Sequence, residues 1–227
     1  MVVVGDTERV FDSDGQAGVF VVNGSTRLAF AGGLAAMVGG LFWALKAACL
    51  MIARFQPPVV YEVAPVFFPI AVIGLYGSLD GNRSRLARSG LTSAGIAELC
   101  ALVSVLGLFL GPAEWTPTGD TVTVLTPFIT LSALGSILGL LLVGIVVRRT
   151  ASLPGGWKNF PMSVAISIIP LIASSALMKD INERLFELPT LIIGLEWMVL
   201  GAVMVRRLPS FARTPASARP GRAPRPG

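Results

Sequence analysis

Histidine is absent from all 227 residues. That omission removes Ser-His triads, histidine-ligated haem, histidine-box iron centres and HExxH zinc proteases. Cysteine is nearly absent too, and both copies, Cys49 and Cys100, lie inside apolar runs. Two cysteines without a histidine make a poor metal site, and buried free cysteines ordinarily pack as small apolar side chains. Charge is scarce: 14% of residues are Asp, Glu, Lys or Arg, where soluble domains carry roughly 25%. The sequence has no GxxxxGK[ST] loop, no DxxD-type magnesium motif beside a helix and no C-terminal lipidation box. ATP hydrolysis by this chain and the familiar metal-dependent headgroup transfers therefore have no carrier in it. No cofactor, metal or enzyme signature emerges. Residues 1–27 hold Asp6, Glu8, Asp12 and Asp14 and lack the basic-then-apolar layout of a secretory signal.

Apolar side chains dominate instead, at 53% of the chain with a mean hydropathy of +0.74. They fall into six runs: Leu28–Ala53, Val63–Leu79, Leu91–Gly111, Val122–Val147, Pro161–Met178 and Leu188–Val205. About 20 helical residues at roughly 1.5 Å each cross a hydrocarbon core. An α-helix satisfies its own backbone groups in lipid. The expected fold is therefore all-α, a polytopic bundle of six transmembrane helices over residues 28–207 in the cell (plasma) membrane. Residues 1–27 precede it as a cytoplasmic segment, either a short hairpin around Asp12–Gly15 with Val19–Val22 as one strand, or disordered. Residues 208–227, rich in Pro, Arg and Ala, form a disordered basic tail.

Basic residues set the orientation. Arg83, Arg85 and Arg88 follow the second run, Arg148, Arg149 and Lys158 follow the fourth, and Arg206, Arg207, Arg213, Arg219, Arg222 and Arg225 follow the sixth. The opposite side carries only Arg54, Lys179 and Arg184, among six carboxylates including Glu114, Glu183 and Glu187. Both termini are thus expected in the cytoplasm. The net charge of +5 reads as a topology signal and a contact for anionic lipid headgroups through the tail, with no nucleic acid partner. Glu183 and Glu187 read as a solvated helix end.

Several patterns bear on packing. Gly32, Ala36, Gly40, Ala44 and Ala48 form a small-residue row in the first run, and Gly135 and Gly139 form a GxxxG in the fourth. Such rows let helices approach closely, within one chain or between copies in a homo- or hetero-oligomer. Lys46 lies nearly opposite Ala44, so the first helix should have neighbours on more than one side. Pro65, Pro127 and Pro189 are evenly spaced, near the outer starts of the second, fourth and sixth helices. Three hairpins of similar length explain this without a true repeat. Ser163, Ser167, Pro170 and Ser174 share a face of the fifth run. They form either a polar path or serines bonded to their own helix.

Three charges sit deep in the runs: Lys46, Glu98 and Glu196. An intramembrane charge costs about 2.5–3.5 kcal/mol on insertion scales, so such residues mark a function or a pair. By helical rise, Lys46 is about 12 Å below the outer end, Glu196 about 13–14 Å and Glu98 about 20 Å. The matching depths predict a Lys46–Glu196 pair, with Trp43 and Trp197 beside it. Two carboxylates against one lysine leave either a net negative charge or a neutral, proton-carrying Glu. Three functions fit, the first two best: a small transporter, channel or proton-linked carrier built on this cluster, a non-catalytic accessory or assembly protein of a membrane complex, and a lipid-modifying enzyme using carboxylates.

Overall fold

Local chemistry sets the helix boundaries. The Ser84 hydroxyl accepts from the Ala87 amide at 3.2 Å and starts one helix, which Gly111 closes. Proline is tolerated in a first helical turn because its missing N–H is unbonded there anyway; Pro127 and Pro189 occupy such positions. Ala151 ends a helix in the left-handed region at φ 49°, and Arg54 does likewise at φ 53°.

In a computed structural model of the chain, residues 8–11, 17–20, 24–55, 60–79, 84–115, 122–153, 155–181 and 185–206 are described. They form α1 (Gly24–Ala53), α2 (Val60–Gly77), α3 (Arg85–Leu110), α4 (Thr126–Thr150), α5 (Phe160–Ile181) and α6 (Leu188–Arg206). Single 3-10 turns at Ala113–Trp115, Gly155–Asn159 and Leu185–Glu187 lie in the connections. The fold is helical with one small exception. Strands β1 (Glu8–Phe11) and β2 (Ala17–Phe20) pair antiparallel, with Glu8 opposite Phe20 and Phe11 opposite Ala17. The second strand begins earlier than the expected Val19–Val22, and the expected turn at Asp12–Gly15 lies outside the described residues, as does the basic tail.

Among the described residues, four stretches are long and apolar enough to cross a membrane: Gly24–Ala53, Arg85–Leu110, Thr126–Thr150 and Leu185–Arg206. Large apolar side chains cover their outward faces, including Leu99, Leu106 and Leu110 on α3 and Leu134 on α4. These are features of a membrane-embedded protein.

The helices are not equivalent. α1 lies between α2 and α6, and α3 packs chiefly on α4. α2 touches α3 and α4, and α5 joins α4 to α6. Glycine explains the hub. On one side of α1, Gly32 meets Gly74 of α2 and Gly39 makes room for Phe67 and Phe68. On the adjacent side, Gly33 meets Gly201 of α6 and Gly40 meets Gly194. Each pair on α1 is seven residues apart, so two glycine faces run side by side along one helix. A Cβ on Gly194 would lie 2.6 Å from the Gly40 carbonyl oxygen, closer than side chains ever approach. Lipid tails are as apolar as leucine, so tight backbone contact replaces the hydrophobic effect as the source of association.

The α3–α4 seam uses a narrower version. Ala87, Gly90, Ala94, Ala97, Ala101 and Ser104 are buried along one stripe of α3. Gly139 abuts Gly90 and Ala94, Gly135 abuts Ala97, and Ser93 donates to the Gly135 carbonyl at 2.8 Å. The GxxxG of α4 is thus consumed within the chain. Pro65 departs from the expected first-turn position. It is the sixth residue of α2 and is followed by Pro69 in the same helix. α6 also packs mainly on α1 rather than on α5, so the even proline spacing does not correspond to three alike hairpins.

Candidate functional site

Lys46 continues the row Gly32–Gly39 by one more heptad on α1, and the residue is buried, at 9% exposure. Its ammonium lies 3.1 Å from Oε1 of Glu187, in the 3-10 turn that precedes α6. Glu187 is buried at 7% exposure. This corrects two expectations. Glu187 is not a solvated helix end, and Lys46 takes it, rather than Glu196, as its ion-pair partner. Helical depth alone places Glu187 at the water boundary. The lysine stem instead extends toward its nearer membrane edge, as long cationic side chains do. There it meets a carboxylate carried inward just ahead of the α6 N-terminus, where a helix dipole also favours negative charge. Glu183 lies outside the described residues.

An aromatic chain runs beside the pair. Trp43 meets Phe68 edge-on with ring centroids 5.1 Å apart, and Phe68 meets Trp197 at 4.6 Å. Phe68 of α2 thereby links α1 to α6, through space that Gly39 leaves open. Among the described residues, two buried polar atoms in this region have no hydrogen-bond partner, Trp43 Nε1 and Glu187 Oε2.

Glu196 lies elsewhere in the bundle. Its Oε2 accepts a hydrogen bond from the Ser167 hydroxyl of α5 at 2.7 Å. Ser167 is also 2.9 Å from the Val164 carbonyl oxygen of its own helix. The other serines of that stripe stay local: Ser163 donates to Asn159 at 3.2 Å and Ser174 to Leu171 at 2.7 Å. Only Ser167 of the three reaches across, one turn before the internal proline Pro170.

Glu98 is apart from both groups. It sits on α3, half-buried, with Oε2 enclosed and without a partner. On the facing α4, the buried Ser132 hydroxyl likewise has no partner among the described residues. The three charges predicted as one cluster therefore occupy three environments: an ion pair, a serine-bound carboxylate and a peripheral carboxylate. Sequence reasoning missed Glu187. The available signal was an acid next to a helix start marked by Pro189, but spacing along the chain cannot show that α1 and α6 adjoin. Among the described residues, no group of three Cys, Asp or Glu side chains is placed to hold a metal ion.

Comparison of the chain with protein-family models, with characterised proteins and with solved structures finds no match.

Proposed function

We propose that the chain is a plasma-membrane protein of six spans with both termini in the cytoplasm, and that it works as a small proton-linked carrier. The arginine bias supports the orientation. The shorter α2 and the proline-interrupted α5 would complete the six spans with the four longer helices. Cysteines placed at Ser84 or Ser152 should stay shielded from an impermeant thiol reagent in intact cells, and one placed at Thr118, outside the described residues, should react. Labelling of the Ser84 position from outside would reverse the assignment.

The carrier reading rests on one observation: among the described residues, Glu196 has a hydroxyl, not a cation, for its partner. The lysine that would neutralise it is engaged with Glu187. A carboxylate kept in a helix interior without a counter-charge is costly unless it takes up and releases a proton, and such residues mark proton relays. It also faces a helix that Pro170 interrupts, and broken helices line solute paths in carriers. The test is solid-supported-membrane electrophysiology on proteoliposomes exposed to a panel of amino acids, sugars, organic acids and cations. A pH-dependent current for at least one solute, abolished by Glu196→Gln, is the expected result. No current for any of them, with the protein folded, would leave the accessory reading. That second reading has its own support in the buried Lys46–Glu187 pair and the close glycine contacts of α1, which hold that part of the bundle together. In either case the basic tail would engage anionic headgroups, and homo- or hetero-oligomers would form through faces other than the α3–α4 seam.

A further inference from the structure

Building on the carrier reading, we propose that Ser167 is a two-position switch that passes the protonation state of Glu196 to the proline-weakened middle of α5. The hydroxyl has one hydrogen and two acceptors within reach, Glu196 Oε2 at 2.7 Å and the Val164 carbonyl oxygen at 2.9 Å. It can donate to one at a time. With Glu196 ionised, Ser167 donates to Oε2 and fastens α5 to α6. When a proton arrives on Glu196, the carboxyl O–H donates to Ser167 Oγ, and the serine hydrogen turns to Val164. Both positions use acceptors already within hydrogen-bonding reach of the hydroxyl. One proton enters from solution and no other bond is made or broken covalently.

The location gives the switch its consequence. Pro170 has no N–H, so the Ile166 carbonyl lacks its helical donor. A serine bonded back to its own helix bends that helix. The second position therefore adds a bending contact next to a turn already missing a hydrogen bond, and replaces a charge-assisted cross-helix bond with a neutral one. The neighbouring charges leave this role to Glu196. α5 has no Asp, Glu, Lys or Arg between Phe160 and Met178, and α6 has only Glu196 between Leu188 and Val205. α1 carries Arg27 in its first turn and Lys46, the latter paired with Glu187 of the turn before α6, and α4, which also packs on α5, carries Arg148 and Arg149 in its last turn.

The test uses the full chain in proteoliposomes, stepped from alkaline to acidic buffer under attenuated total-reflection infrared spectroscopy. A protonated-carboxyl band should appear at acidic pH and be lost in Glu196→Gln. In Ser167→Ala the band should move to higher frequency, toward that of a carboxyl with no hydrogen-bond partner. Ser167→Thr should restore it. In parallel, spin labels at Leu177 and Ile192, in a background with Cys49 and Cys100 replaced, should report a pH-dependent change in the α5–α6 distance that Ser167→Ala removes. If no titrating band belongs to Glu196, the carrier reading and the switch fall together. If the band is present but insensitive to Ser167→Ala, or the distance changes equally without the hydroxyl, the switch alone is wrong.

Discussion

α1 and α3 are close counterparts in sequence. Each is a long apolar helix with one charge in its interior, Lys46 or Glu98, and each carries many small residues. The bundle treats them oppositely. In its most apolar window α1 is 44% buried and α3 is 22% buried. α1 has a neighbour on each of two glycine faces, whereas α3 has a single buried stripe of small residues and turns large side chains such as Leu99 and Leu110 outward. The charge follows the helix: Lys46 is enclosed and paired, and Glu98 has an enclosed oxygen with no partner. Apolar content thus says that a helix belongs in the membrane, and the angular spread of its small residues says whether it belongs at the centre.

The largest effects should come from the glycines. Gly40→Leu would drive a side chain into the Gly194 backbone of α6, and backbone cannot move aside as a flexible side chain can. Overpacking costs about 1–3 kcal/mol where side chains can yield and more where they cannot. This variant should therefore lose the monodisperse peak in detergent size-exclusion chromatography. Gly95→Leu on α3 places its Cβ in open space, with nothing within 4 Å. It should be neutral or stabilising by up to about 1 kcal/mol, the helix-propensity gain on replacing glycine. Equal damage from both would erase the distinction between hub and rim.

Lys46→Met comes next. It leaves Glu187 enclosed without its cation, which costs about 3–5 kcal/mol for a buried pair. Combining it with Glu187→Gln should recover part of that loss in thermal unfolding, whereas combining it with Glu196→Gln should give additive losses. The opposite pattern of coupling would restore the pairing that helical depth alone suggests.

The smallest effect is expected at Glu98. Replacing it with Gln removes the charge but leaves a polar atom in the same enclosed place, so stability should change by less than about 1 kcal/mol. A thermal-shift loss as large as that of Lys46→Met would mean that Glu98 has a partner, and α3 would then be no mere rim.

The sequence by itself determined the helices, and with them the membrane-embedded character. Run length and hydropathy are local properties, and a segment that cannot be hydrated must bond its own backbone wherever it packs. The serine stripe of α5, the GxxxG of α4 and the small row of α1 were equally legible as surfaces of close approach. Only the tertiary structure decided which surfaces meet. Gly40 could have faced any helix and faces α6. Lys46 matched Glu196 in depth yet pairs with Glu187, because depth is one coordinate and pairing needs three. Ser167 is indistinguishable from Ser163 and Ser174 in sequence, and differs because α6 brings Glu196 within hydrogen-bonding reach of it alone among the three. Helix–helix packing in lipid is chosen by backbone-to-backbone fit between elements distant in the chain, and periodicity within one element does not contain that information.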